Sequence, residues 1–167
     1  MSKRLLVVLS TLFLGAAILV AVAGCGGGGS TGPSNQVIKP TFVDAKVTGD
    51  TVAVSLSDVQ KAKMAHFRVP TAQGNLVFMA YDFGGKVVTR ASVCPPCQSQ
   101  SFSLKGNTLV CNSCGTIFSA SSGDGMSGPC VAYPKAVVAT AVADGNLTMT
   151  TGDMVTAYQN TLKPGKP

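Results

Sequence analysis

The 167-residue chain has no Trp, no Glu and a single His, and charged side chains make up only 12% of it. With His66 alone, any centre that needs two imidazoles is excluded by counting, whether a cluster held by a histidine pair or a His-x-x-x-His zinc site. The seven acids are all aspartates (44, 50, 58, 82, 124, 144 and 153), and no two stand close enough in sequence to suggest the paired carboxylates of a glycosidase. A hydrophobic fraction of 46% excludes a disordered or acidic chain, and nothing is long enough for a multi-span membrane protein. What the chain does have is six Cys, 19 Gly and 13 Lys and Arg against the seven acids. Its chemistry therefore rests on cysteine, in one ordinary domain with a tail.

The tail comes first. Lys3 and Arg4 precede an apolar run from Leu5 to Ala23, broken only by Ser10, Thr11 and Gly15, which is the layout of a secretory signal. The stretch Val22-Ala23-Gly24-Cys25 resembles a bacterial lipobox, which implies cleavage of residues 1–24 and a diacylglycerol on Cys25 as the new first residue. The alternative is an uncleaved transmembrane anchor, since a span needs about 20 apolar residues. Either reading places the domain outside the cytosol, at the membrane, on the periplasmic or cell-surface side. Residues 25–40 then read as the lipidated Cys and a Gly/Ser/Pro-rich tether with a reach of roughly 20 Å, and 41–167 as a Cys-rich metal-binding β domain. Loss of Lys3 and Arg4 leaves 11 basic against 7 acidic side chains, spread without a basic run, so no nucleic-acid partner is indicated.

Within the domain, short runs rich in β-branched and aromatic residues alternate with turn signals. Strands are expected over 51–56, 66–69, 76–81, 86–91, 108–110, 116–119, 136–143 and 147–151, with Asp82-Phe83-Gly84-Gly85 and Asp144-Gly145 as hairpin links. Ser57-Asp58 is expected to cap a helical turn running to Met64, and Asp153 a closing helix in which Met154, Val155, Tyr158 and Leu162 share a face. The fold class is mainly β: a small β-barrel or sandwich with a Cys-x-x-Cys metal-loop subdomain and a short C-terminal helix.

Five cysteines remain for that domain: Cys94-Pro95-Pro96-Cys97, then 13 residues, Cys111-Asn112-Ser113-Cys114, then 15 residues, and Cys130. Two Cys-x-x-Cys loops at this separation come near the arrangement of zinc sites, because each loop brings two sulfurs to one ion and two loops complete a tetrahedron. The same thiolates also suit iron or Cu(I). Outside the cytosol two disulfides compete with a metal, and Cys94 to Cys97 alone also fits a dithiol for disulfide exchange, although the residues after it do not continue as an amphipathic helix. Gly115 lets the backbone turn amide groups toward the sulfurs of the second loop, whereas Pro95 and Pro96 remove two N–H donors from the first. Cys130 is the odd thiol: a replacement ligand, a ligand to a second ion, or a packed free thiol. His66 reads as a core histidine, Met126 as a soft ligand near the cysteines, and Asp124 and Tyr133 as flanking groups of the same loop.

The segments His66 to Val69, Gly74 to Ala80, Gly85 to Val88, the two Cys-x-x-Cys loops with Gly115-Thr116-Ile117-Phe118, Gly125, and Gly128-Pro129-Cys130-Val131-Ala132-Tyr133-Pro134 together resemble the FtrD-like membrane iron-sulfur family. The resemblance implies a Rieske-like layout with cysteines where histidines otherwise stand. It implies Cys94, Cys97, Cys111 and Cys114 as ligands of an iron-sulfur cluster or single iron, and Cys130 as a further family cysteine. Some family members accompany bacterial iron-uptake permeases, so the function expected is electron transfer by an extracytoplasmic lipoprotein, with a redox or iron-transport partner in the membrane. A zinc-stapled or copper-binding module and a thiol-disulfide exchange protein are the alternatives. All-thiolate ligation would set the potential below the range that imidazole ligands reach.

Overall fold

The β-forming runs pair into three open sheets. The structure, a computed structural model, describes residues 36–165. The signal-like segment, Cys25 and most of the tether lie outside the described residues. Fourteen short strands are present there: β1 (Val37–Ile38), β2 (Thr41–Phe42), β3 (Ala45–Thr48), β4 (Thr51–Ser55), β5 (Met64–Thr71), β6 (Gly74–Phe83), β7 (Lys86–Ala91), β8 (Phe102–Lys105), β9 (Thr108–Cys111), β10 (Ile117–Ser119), β11 (Gly125–Ser127), β12 (Val137–Val138), β13 (Ala141–Ala143) and β14 (Asn146–Thr150). Helix α1 (Leu56–Ala62) follows β4, and α2 (Thr151–Thr161) follows β14. The sheets run β1-β8-β9-β10-β11, β12-β7-β6-β5-β2 and β13-β14-β4-β3. None closes on itself, so the layers form a sandwich and not a barrel.

The middle sheet is buried on both sides, which is why Leu76 to Tyr81 of β6 show no polar alternation. Register then divides its side chains between two cores. The cross-strand pairs Ala65–Ala80, Phe67–Phe78 and Val69–Leu76 face the β3-β4-β14 sheet and both helices, whereas Met64, Met79 and Tyr81 face a second core with Phe102, Leu109, Phe118 and three cysteines. Burial of these side chains drives the layering, each large one contributing about 1.5–3 kcal/mol. Strand β1 pairs with β8, so residues 37 and 38, next to the end of the expected tether, add an edge to the cysteine-bearing sheet.

Local chemistry moved several boundaries. The N-cap of α1 is Ser55, whose Oγ accepts the Asp58 N–H at 3.3 Å, so the helix starts before Ser57. It ends at Lys63 in the left-handed conformation, and Met64 opens β5 because it pairs with Tyr81 and is fully buried. Thr150, not Asp153, caps α2: its Oγ1 accepts the Asp153 N–H at 3.0 Å and donates to Asp153 Oδ2 at 2.8 Å. The buried face of α2 is Met154, Ala157 and Thr161, while Leu162 falls past the helix end and is exposed. The run 136–143 splits into β12 and β13, which belong to different sheets. Among the described residues no helix is long and apolar enough to cross a membrane.

Candidate metal centre

Two loops and one later crossing bring the cysteines together at the end of the β8-β9-β10 sheet. After β7 the chain reaches Cys94, whose N–H donates to the Ser99 carbonyl at 2.7 Å, closing a tight loop around a 3-10 turn at Pro95–Cys97. In the second loop Cys111 ends β9, its N–H donates to the Thr116 carbonyl at 2.9 Å, and the Gly115 N–H returns to the Cys111 carbonyl at 3.0 Å. Gly115 has φ +70°, the left-handed turn a knuckle requires. Gln98 holds the equivalent position after Cys97 with φ 58°, so the first loop makes the same turn without a glycine. Asn112 ties the two loops: its N–H donates to the Ser101 carbonyl at 2.9 Å, and its side chain bonds Ser101 Oγ and Ser103 Oγ at 2.8 Å each.

Cys130 arrives from the segment after β11, where space is made by two glycines. A Cβ on Gly125 would strike the Val131 backbone, and one on Gly128 would lie 2.7 Å from Thr116 Cα. Thr116 Oγ1 receives the Cys130 N–H at 3.1 Å and lies 3.1 Å from Cys114 Sγ.

The sulfurs of Cys94, Cys97, Cys114 and Cys130 all lie within 4.8 Å of one another. Cys94 to Cys114 is 4.0 Å and Cys114 to Cys130 is 3.7 Å. Cys111 stands 3.7 Å from Cys97 but outside that four-sulfur group. All five are free thiols, with Cys94, Cys111 and Cys130 buried and Cys97 and Cys114 half-buried. The donor set fits a thiophilic metal: sulfurs sharing one tetrahedral ion at 2.3 Å stand about 3.8 Å apart.

The thiols differ electrostatically. Burial pushes Cys94 well above its ordinary value, and hydrogen bonding with Cys97 and Cys130 adds to the rise. Burial also raises Cys111, against amide donors from Cys114 and Ser113. At Cys114 burial is outweighed by the Thr116 hydroxyl and amide and by the Cys111 and Cys97 thiols, which bring it down to about 6. The second loop thus supplies amide donors to both its sulfurs, whereas Cys94 gains none and its thiol instead donates to the Cys97 and Cys130 sulfurs, in keeping with the loss of amide donors at Pro95 and Pro96.

Other singled-out residues stand apart from the sulfurs. Met126 is 60% exposed, Asp124 serves β10 through its carbonyl, which accepts the Ser119 N–H at 2.8 Å, and Tyr133 is half-buried on the Cys130 turn. His66 is fully buried on the middle sheet with neither ring nitrogen hydrogen-bonded. Sequence reading missed Thr116, whose position two residues after Cys114 was the available signal, and Lys135, a lysine with 0% exposure beside the cysteine core.

Residues 59–160 match the family described as membrane iron-sulfur containing protein FtrD-like. Among curated proteins none matches the chain in sequence. Among solved structures, a chain from the complex of reduced oxygenase and oxidized ferredoxin in carbazole 1,9a-dioxygenase is similar with a TM-score of 0.50 and 21% identity, over 62% of this chain and 94% of that one. A Sphingomonas yanoikuyae B1 ferredoxin (TM-score 0.41, 16% identity, 66% and 90% covered) and the plasma membrane Rieske protein of the cyanobacterium Synechocystis (0.44, 19%, 58% and 95%) are similar at lower scores. The fold is shared with the chain from the oxygenase–ferredoxin complex, four cysteine sulfurs converge in it, and the family match covers more than half of the sequence: the chain belongs to the FtrD-like family of membrane iron-sulfur proteins.

Proposed function

We propose that this protein is a membrane-anchored, extracytoplasmic electron carrier. The observation that carries the reading is the convergence of four cysteine sulfurs within 4.8 Å in a chain of the FtrD-like membrane iron-sulfur family. Cys94, Cys97, Cys114 and Cys130 hold the iron-sulfur group, with Cys111 at 3.7 Å from Cys97 as the fifth thiol able to enter the set. Such a group supplies one-electron transfer when bound. Cys97 and Cys114 lie on the half-exposed side and face a redox partner, while Cys94, Cys111 and Cys130 close the site from within. The Lys3-Arg4 start, the apolar run and Val22-Ala23-Gly24-Cys25 support a cleaved signal over 1–24, a lipid on Cys25, a tether to residue 40 and the β domain beyond. Family membership supports a place beside iron uptake, with electrons passed to a transport partner in the membrane.

The deciding experiment is anaerobic purification of the full chain, with iron and acid-labile sulfide analysis, visible absorption and paramagnetic resonance. Iron, sulfide and a thiolate-to-iron band are expected, all lost in Cys94→Ser, Cys97→Ser and Cys114→Ser, and Cys111→Ser against Cys130→Ser identifies the remaining ligand. A colourless, iron-free protein would overturn the reading. One observation favours a second reading: sulfur separations of 3.7 and 4.0 Å also suit a single zinc ion. Stoichiometric zinc that iron supplementation leaves unchanged would establish a zinc-stapled module. Cys25→Ser should release the protein from membranes, and mass spectrometry of the mature amino terminus tests the lipid directly.

A further inference from the structure

Lys135 has no exposed surface. Its Nζ donates to the Val93 carbonyl at 2.7 Å, immediately before Cys94, and lies 4.4 Å from the centroid of the Phe118 ring and 5.4 Å from that of Phe102. Both rings belong to the same core as Cys94, Cys111 and Cys130. An ammonium has three donors, and here one meets a carbonyl while the rings offer their negative faces. An ammonium without a counter-charge is costly to bury, so the interior must supply one. The groups it interacts with electrostatically are Cys94, Cys111, Cys130 and Cys97, none of them a carboxylate.

The backbone around it is clamped. Its carbonyl accepts from Arg90 Nη1, its N–H donates to the Gly123 carbonyl at 2.8 Å, and Arg90 also binds Tyr81 Oη at 2.9 Å and the Ser121 carbonyl. Gly123 has no room for a Cβ, which would meet the Lys135 carbonyl and the Arg90 guanidinium. The chain thus fixes a lysine where a leucine or methionine would fill the same apolar space without desolvating a charge.

We propose that Lys135 is the resident counter-cation of the cysteine site, a positioning residue whose buried ammonium offsets thiolate charge and raises the reduction potential of the group held there. The effect on potential rests on the iron-sulfur reading; the counter-cation role itself does not. Reduction adds one electron from an external donor with no bond made or broken, and a fixed positive charge alongside favours the form that has gained it. Burial pulls the amine down to about 8, with the four thiols acting the other way.

Two measurements on the full chain test this, each in the wild type, Lys135→Met, Lys135→Gln and Lys135→Arg. In a mediator-poised redox titration, Lys135→Met and Lys135→Gln should shift the reduced-to-oxidised ratio at fixed potential at least about tenfold toward oxidised, 59 mV for one electron, with Lys135→Arg within about threefold of wild type. In a Cd²⁺ titration of the metal-free, reduced protein, followed at the thiolate-to-cadmium band, the two neutral variants should bind at least about tenfold more weakly and Lys135→Arg should rescue. Circular dichroism melting identifies folded variants, and Lys135→Gln carries both comparisons if Lys135→Met does not fold. Neutral variants that melt lower but keep wild-type potential and Cd²⁺ affinity would overturn the assignment. If the wild type carries no iron, the electron-carrier reading fails and the Cd²⁺ titration alone decides the role of Lys135.

Discussion

Thr116 Oγ1 lies 3.1 Å from Cys114 Sγ and accepts the Cys130 N–H, also at 3.1 Å, so one hydroxyl links the second Cys-x-x-Cys loop to the later cysteine. When Cys114 is a thiolate the sulfur has no proton to give, so the Thr116 hydroxyl donates to it, which is why this contact lowers the Cys114 pKa. Thr116→Val should leave a buried N–H unpaired, costing about 1–3 kcal/mol, and should lower the potential of the bound group by removing a donor to sulfur. Thr116→Ser should restore both. Urea unfolding of the metal-free protein and redox titration of the loaded one read the two effects separately.

Gly125 and Gly128 make room for the Cys130 segment. A methyl at Gly125 would collide with the Val131 backbone, and at Gly128, with φ +109°, it would press on Thr116 Cα. Each Gly→Ala change should cost about 1–3 kcal/mol by overpacking and should lower the metal-to-protein ratio. Gly145→Ala is the control: its φ of +74° is strained for alanine, but nothing lies within 4 Å, so metal content should hold while stability falls modestly.

Gln98 occupies a left-handed position that a glycine fills more easily. Gln98→Gly should raise the stability of the metal-free protein by about 0.5–1 kcal/mol, the steric relief exceeding the added chain entropy. Thermal melting checks this. Unchanged or lower stability would mean that the Gln side chain holds the first loop through packing.

Much of this architecture could be read from residue types. The hairpins at Gly84-Gly85 and Asp144-Gly145, the unbroken apolar run of β6 and the five clustered thiols all follow from local pattern. Other features depend on partners distant in sequence. Phe102–Lys105 is a strand between β1 and β9; Ser101 to Lys105 alternates polar and apolar, but the run is too short to mark a strand without those partners. The four-sulfur group contains Cys130 and leaves Cys111 outside, an outcome set by the clearance at Gly125 and Gly128, which spacing alone does not encode. Lys135 is the only charge in the apolar stretch Val131 to Ala139, and its burial depends on Phe102 and Phe118, partners distant in sequence. A lipid on Cys25 is an expectation from sequence alone, since Cys25 lies outside the described residues.

His66 gives the protein an acid sensitivity of its own. Its ring is fully buried, meets the Phe42 ring edge-on at 5.7 Å between centroids, and has no hydrogen-bond partner at either nitrogen, while Arg68 lies over the other ring at 4.1 Å. Burial lowers its pKa from 6.5 to about 4. In that interval the unfolded chain binds a proton that the folded chain excludes, so the stability conferred by the neutral ring is complete above pH 6.5 and is lost as the pH falls to about 4. A shift of this size corresponds to about 3 kcal/mol in all. His66→Phe should therefore flatten the acid limb of the stability profile by about that amount, leaving neutral-pH metal binding unchanged. Denaturant unfolding of both proteins at pH 7, 6, 5 and 4 isolates the contribution as a difference, and parallel profiles would show that His66 is protonated in the fold.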